Sequence, residues 1–211
     1  RFDPSRSIDG GTLTEILGRT IACRHMPPFN GATVLQQVEA VVFVHRVRGL
    51  SPGIYLLKRQ KGAIENLKAA WRKDFLWRPV AGRLPLWQLT EADVSDLAAT
   101  LSCHQDIAGH GAFAAAMIAP YEHTLRQGTH NYRRLHWECG VIGQVLYLAA
   151  EAHGLRGTGI GCFFDDEVHR LLGIRDKSYQ VLYHFTMGHP IEDDRLSTLP
   201  AYHHLDKSRW R

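Results

Sequence analysis

Residues 132–174 read YRRLHWECGVIGQVLYLAAEAHGLRGTGIGCFFDDEVHRLLGI, and residues 179–190 read YQVLYHFTMGHP. Leu135, Val141, Val145, Leu148 and Ala149 recur at helical spacing, so residues 134–153 are expected to form a helix. Gly140 and Gly143 share one face of it. A glycine inside a helix costs about 1 kcal/mol relative to alanine. Close approach of a second helix is the expected compensation, with Gly154 as the C-terminal cap. Gly157, Gly159 and Gly161 then alternate along a strand-like stretch, 157–164, where bare backbone lets a ligand come close. Asp165 is expected to N-cap the next helix, with Asp166 and Glu167 in its first turn, where the helix dipole favours acids. Val168, Leu171 and Leu172 mark its core face, and Gly173 ends it. Tyr179–Thr186 reads as a buried strand. Helix, glycine-rich loop, acidic helix start and strand together offer backbone N–H groups on which a flat, electron-accepting ligand can lie. Asp165, Asp166 and His169 are read as a solvated helix start rather than a metal site.

Working outward, Gly11–Gly18 reads as a short helix and Pro27–Pro28 as a break. Val38–Val47 (VEAVVFVHRV) is β-branched and nearly continuous, the pattern of a central strand. A turn at Gly49–Gly53 and a second strand over Ile54–Lys58 make a hairpin with it. Residues 60–90, with Trp71, Trp77, Trp87, Pro79 and Pro85, read as a helix followed by a loop. Thr90 or Glu91 opens a helix through Leu101, Ala112–Ala119 is a strand, and Pro120–Gln127 a turn or short helix. No repeat or low-complexity linker interrupts the chain, so residues 1–211 are expected to form a single α+β domain.

With 45% hydrophobic and 22% charged residues, the 211-residue chain has the composition of a soluble globular protein. No apolar run approaches the ~18–20 residues of a membrane span, and no signal peptide is expected. The expected location is the cytoplasm, with no membrane partner. The first residue is Arg1, so upstream residues are expected to have been trimmed, processed or left out. Cys23, Cys103, Cys139 and Cys162 form no CxxC or CxxH pair and are expected to be reduced, mostly buried thiols. Cys162 is read as a buried spectator, with a redox thiol as the alternative. The histidines show no metal-ligand spacing, and no metal is expected. The net charge of +4 is scattered, which suits a phosphate better than a nucleic acid.

Several stretches resemble the nitroreductase-like FMN-dependent family, in particular its SagB-type dehydrogenases. They are Arg1–Ile8 (RFDPSRSI), His25–Tyr55, Tyr132–Pro190 and the closing GHPIEDDRLSTLPAY. The resemblance implies an α+β homodimer, a central sheet flanked by helices, with two FMN molecules at the subunit interface. It implies hydride transfer through FMN to or from a small-molecule or peptide substrate. SagB-type members oxidise azoline rings in ribosomal peptides. By the same resemblance, Gly159, Ile160, Gly161 and Cys162 fall where a backbone N–H contacts flavin N5. Asn30, Gly31 and Ala32 fall where a loop touches the isoalloxazine, and Arg195 near a basic residue that reaches the phosphate. The helix Leu135–His153 corresponds to the one that packs the dimer.

Two departures stand beside it. The family's arginine-rich phosphate motif would lie before Arg1, and the Lys-Tyr pair linked to azoline oxidation aligns with Arg126 and Gln127. An arginine, with a pKa above ~12, cannot act as a base near neutrality. No Ser/His/Asp or Cys/His signature supplies a nucleophile, and no catalytic side chain is assigned. The expectation is an FMN-dependent oxidoreductase of unidentified substrate. The alternative is a degenerate, non-catalytic subunit that binds a partner, and a flavin-consuming enzyme is a third reading.

Overall fold

A computed structural model describes residues 1–23, 27–30, 36–60, 62, 64–197, 199–200 and 202–205. In chain order the elements are β1 (Ile8–Asp9), α1 (Gly10–Gly18), β2 (Glu39–Val44), β3 (Val47–Arg48), β4 (Gly53–Leu57), α2 (Glu65–Ala70), β5 (Arg78–Pro79) and β6 (Leu86–Gln88). There follow α3 (Ser95–Leu101), α4 (Asp106–His110), β7 (Phe113–Pro120), α5 (Tyr121–Arg126), α6 (Asn131–Ala152), β8 (Arg156–Ile160), α7 (Asp165–Leu172) and β9 (Tyr179–Gly188).

Seven strands make one sheet in the order β5-β6-β4-β2-β7-β9-β8, every neighbouring pair antiparallel. β1 and β3 form a separate parallel pair. β2 is buried at all six positions, as its continuous β-branched run requires of a strand covered on both faces. Its hairpin with β4 pairs Val42 with Tyr55. Alternation splits the core in two. Val42, Val44, Tyr55, Leu57, Phe113 and Phe185 face α1 and α6. Val41, Phe43, Ile54, Leu56, Ala114 and Ala116 face α2, α3, α4 and α7. The result is an α+β fold with helices on both faces of an antiparallel sheet.

Strict alternation would put Val181 and Phe185 on one face, yet they lie in opposite cores. A register shift opposite Met117/Ile118 supplies the phase change, because Met117 pairs with Tyr183 and Ile118 with Val181. Leu182 is the extra residue of this bulge.

Several sequence expectations need correction. Residues 60–90 hold the short strands β5 and β6 as well as α2, where only a helix and a loop were expected. The helix expected from Thr90 or Glu91 begins at Ser95, because Asp93 Oδ1 takes both the N–H and the hydroxyl of Ser95 and turns the chain there. The short α4 was not foreseen. Asp165 does not cap α7: Phe164 is the cap residue, with no side-chain cap bond. The Asp165 carboxylate instead accepts the side-chain amide of Gln180, 2.7 Å away, which ties α7 to β9. No second helix fills Gly143. A Cβ there would stand 3.1 Å from Cε1 of Tyr183, so the glycine lets α6 settle on β9. Gly140 is exposed, and a Cβ there would meet nothing within 4 Å.

Candidate functional site

β8 is an edge strand, and its glycines have internal reasons. A Cβ on Gly157 would lie 2.6 Å from the Phe185 ring, and one on Gly159 would lie 1.6 Å from the Tyr183 hydroxyl. The two aromatic side chains of β9 therefore cover the strand where its own side chains are missing. The Gly159 N–H donates to the hydroxyl of Tyr147 on α6, 2.7 Å away. Tyr147 also meets the Phe185 ring edge-on at 4.9 Å. Burial, with smaller contributions from Tyr147 and Cys139, pushes the Tyr183 hydroxyl above the ordinary tyrosine range.

Gly161 differs from both. It is exposed, and a Cβ there would meet nothing within 4 Å. Among the described residues, no acceptor meets the N–H of Gly161 or of Cys162. The other side of this loop is held firmly. Gln105 Nε2 donates to the Cys162 carbonyl at 3.2 Å and to the Ser102 carbonyl at 2.8 Å. The Phe164 N–H donates to the Leu101 carbonyl at 2.9 Å. The Phe163 ring stacks on His184 at 4.6 Å. Cys162 is bonded to Cys103, with their Cα atoms 5.8 Å apart. This overturns the expectation of four reduced thiols and of Cys162 as a buried spectator, since Cys162 is exposed. Cys23 and Cys139 are free, one exposed and one buried, and burial raises the Cys139 thiol far above its usual range.

Of the remaining expected site residues, Asn30 and Arg195 have no hydrogen bond to this loop among the described residues. Asn30 is exposed and follows Phe29, which lines an apolar cleft of about 510 Å³ between α1 and α6 together with Pro28, Val145 and Leu148. Gly31 and Ala32 lie outside the described residues. Arg195 is exposed and makes a two-pronged bond to Asp193, Nε to Oδ1 at 2.8 Å and Nη2 to Oδ2 at 2.6 Å. Such a solvent-screened pair holds the guanidinium only weakly. Arg126 and Gln127 sit on the surface of α5, bonded to Glu122 and His123. Ile160 is buried and points into the core beside β9.

Three histidines, of which His184 packs on the loop, carry a pH dependence that their number alone did not reveal. Burial lowers His184 and His45 to about 4. It also lowers His169, whose Nε2 accepts the Val181 N–H at 3.2 Å beyond the end of β8. His184 Nδ1 meets the Ser102 hydroxyl at 3.1 Å, and its Nε2 is buried without a partner. Unfolded histidine takes up a proton near pH 6.5, whereas these stay neutral lower. Their contribution is thus complete above pH 6.5 and is lost as the pH falls toward 4, on the order of 1–3 kcal/mol for each of the two most buried. Urea midpoints should fall steadily between pH 7 and 4, and the fall should shrink in His184→Gln. A flat profile over that range would contradict the assignment.

With this geometry in place, comparison with known proteins decides the family. The Nitroreductase family profile matches residues 1–189. The chain belongs to the nitroreductase family. A Methanocaldococcus jannaschii protein named as a nitroreductase is 36% identical over 61 residues, covering 28% of this chain and 31% of that protein. Among solved structures, one described as a nitroreductase from Anabaena variabilis superposes with a TM-score of 0.68 at 23% identity, over 90% of this chain and 35% of that one. The NADPH:FMN oxidoreductase of Vibrio harveyi, complexed with NAD+, gives 0.54 at 17% identity, over 100% and 73%. The McbBCD microcin synthetase complex of E. coli gives 0.59 at 15%, over 91% and 67%. At such identities these structures share the nitroreductase fold. The match spans about a third of the M. jannaschii and A. variabilis proteins. No helix among the described residues is long and apolar enough to cross a membrane.

Proposed function

We propose that the chain is an FMN-dependent oxidoreductase of the nitroreductase/SagB type, with residues 1–211 acting as one nitroreductase-like unit. The observation that carries this reading is the loop Gly161–Cys162. Its backbone is bare, its two N–H groups are free of acceptors among the described residues, and its far side is fixed to α3 and α4. A flat ring can therefore reach hydrogen-bond distance of the backbone, about 3 Å, without displacing a side chain. Gly159 and Ile160 contribute indirectly, by anchoring the loop to β9 and the core.

FMN, when bound, supplies the redox chemistry. The chain's own residues bind and orient. The N–H groups of Gly161 and Cys162 would face the ring edge, and Arg195 would exchange Asp193 for the phosphate, where a guanidinium fork gives two charge-assisted bonds. Asn30, Gly31 and Ala32 would approach the ring from the other side. Because Asn30 lies by the α1–α6 cleft and has no hydrogen bond to the loop among the described residues, a second copy is proposed to complete the site. Trp137 (60% exposed) and Leu148 (61%) stand on either side of Gly140 on the outer face of α6, two exposed apolar side chains that such a copy would cover. The substrate is a small molecule or a peptide. Azoline oxidation is not assigned, because Arg126 and Gln127 cannot handle the proton.

A non-catalytic partner-binding role has one observation in its favour: Tyr147 already occupies the Gly159 N–H. One experiment separates the two readings. The protein purified from cells should release FMN on denaturation, identified by chromatography and mass. Colourless protein that also fails to take up added FMN would leave the non-catalytic reading.

A further inference from the structure

We propose that Cys103–Cys162 is a reversible thiol–disulfide site, a latch whose oxidised form pins the glycine loop to the α3–α4 turn and which a dithiol reductant opens. The two cysteines are 59 residues apart in sequence. They join the end of α3 to the one segment of the β8–α7 connection that carries free backbone donors. Cys162 is exposed and Cys103 partly so, which thiol–disulfide exchange requires. By contrast, Cys139 is enclosed in α6, and Cys23 is solvent-facing and bonded to no other cysteine.

Three features favour a latch over a permanent staple. The bonds from Phe164 to Leu101 and from Gln105 to Cys162 hold the same two segments together without the disulfide, and the stack of Phe163 on His184 ties the loop to β9 as well. Reduction therefore frees the loop tip and leaves the fold and the cysteines' neighbourhood in place, so the bond can re-form. Cys103 and His104 both take φ of +56°, a left-handed conformation that non-glycine residues rarely adopt. A freed Cys103 can leave it. The exposed partner also defines the chemistry. A thiolate of the dithiol reductant attacks Cys162 Sγ, the Sγ–Sγ bond breaks, and Cys103 departs as a thiolate that takes up a proton. The reductant's second thiol then displaces Cys162 from the mixed disulfide. Two electrons pass to the protein, the reductant closes to its own disulfide, and both cysteines end as thiols.

The test holds the folded protein in buffers of reduced and oxidised dithiothreitol, from fully reduced to fully oxidised, quenches with acid, and alkylates for peptide mass spectrometry. Hydrogen exchange is measured at both ends. Cys103 and Cys162 are expected to switch together within the series. Exchange at Gly159 and Phe164, whose bonded N–H groups flank the loop tip, should rise about tenfold on reduction, while β7 stays unchanged. Cys103→Ser should exchange fast in every buffer. A pair that stays oxidised throughout, that never oxidises, or that switches without changing loop exchange overturns the latch. The link to function rests on the flavin reading: reduction should weaken FMN retention. An intact switch with unaltered FMN binding would remove the flavin from this loop and leave the latch standing.

Discussion

Replacing Glu138 with alanine is expected to cost about 3–5 kcal/mol of folding free energy, because it strands a buried arginine. The side chains of Arg59 and Glu138 are 3% and 0% exposed, and Arg59 Nη1 lies 3.2 Å from Glu138 Oε1. The carboxylate also accepts the backbone N–H groups of Gln37 at 2.9 Å and Val38 at 3.2 Å. It thereby joins α6 to the entry of β2, just past residues 31–35. Arg59 would keep its bonds to the Thr20 carbonyl, at 3.0 and 2.8 Å, but would lose its counter-charge. A fall in melting temperature of roughly 10 °C follows for a domain of this size. Glu138→Gln keeps the acceptor oxygen and the volume, and should fall between the two. An alanine variant within about 1 kcal/mol of the parent would mean that water reaches the pair and supports the guanidinium.

The second large effect is functional. Gly161→Val should weaken FMN binding by about 100-fold. A branched side chain would keep the ring from two backbone donors, each worth about 1.5 kcal/mol, and every 1.4 kcal/mol is a factor of ten. The fold should tolerate the change, since a Cβ at Gly161 meets nothing within 4 Å. Gly159→Ala is the useful contrast. There the added carbon would fall 1.6 Å from the Tyr183 hydroxyl, so stability should drop by about 1–3 kcal/mol through overpacking. If Gly161→Val instead lowers the melting temperature and leaves the flavin ratio of the folded fraction unchanged, the glycine serves only the turn.

The sequence showed the elements whose signals are local and left out the pairings that are not. α6, β2, β7 and β9 announce themselves by periodicity or by unbroken apolar runs, and α1 and α5 by short patterns between breakers. The alternating glycines of β8 were legible as a strand with bare backbone, which the sequence alone suggested was open to a ligand along its whole length. What no local pattern could say is that Phe185 and Tyr183 cover Gly157 and Gly159, which leaves only Gly161 open to a ligand. Gly143 was misjudged for the same reason: its partner is a tyrosine on a strand 40 residues later, not a helix. The Cys103–Cys162 bond and the Arg59–Glu138 pair join residues 59 and 79 apart, so spacing rules had nothing to grip. Arg195 was visible as a cation, but its pairing with Asp193 depends on side-chain geometry that the sequence does not display.

Equilibrium titration of the wild-type chain with FMN, followed by quenching of flavin fluorescence and repeated on Gly161→Val, tests the flavin site most directly. Saturation at one FMN per chain, with the valine variant shifted to far higher concentration at an unchanged melting temperature, is the expected result. Fluorescence that rises with added FMN without saturating, or identical curves for the two proteins, would contradict a flavin site at Gly161–Cys162.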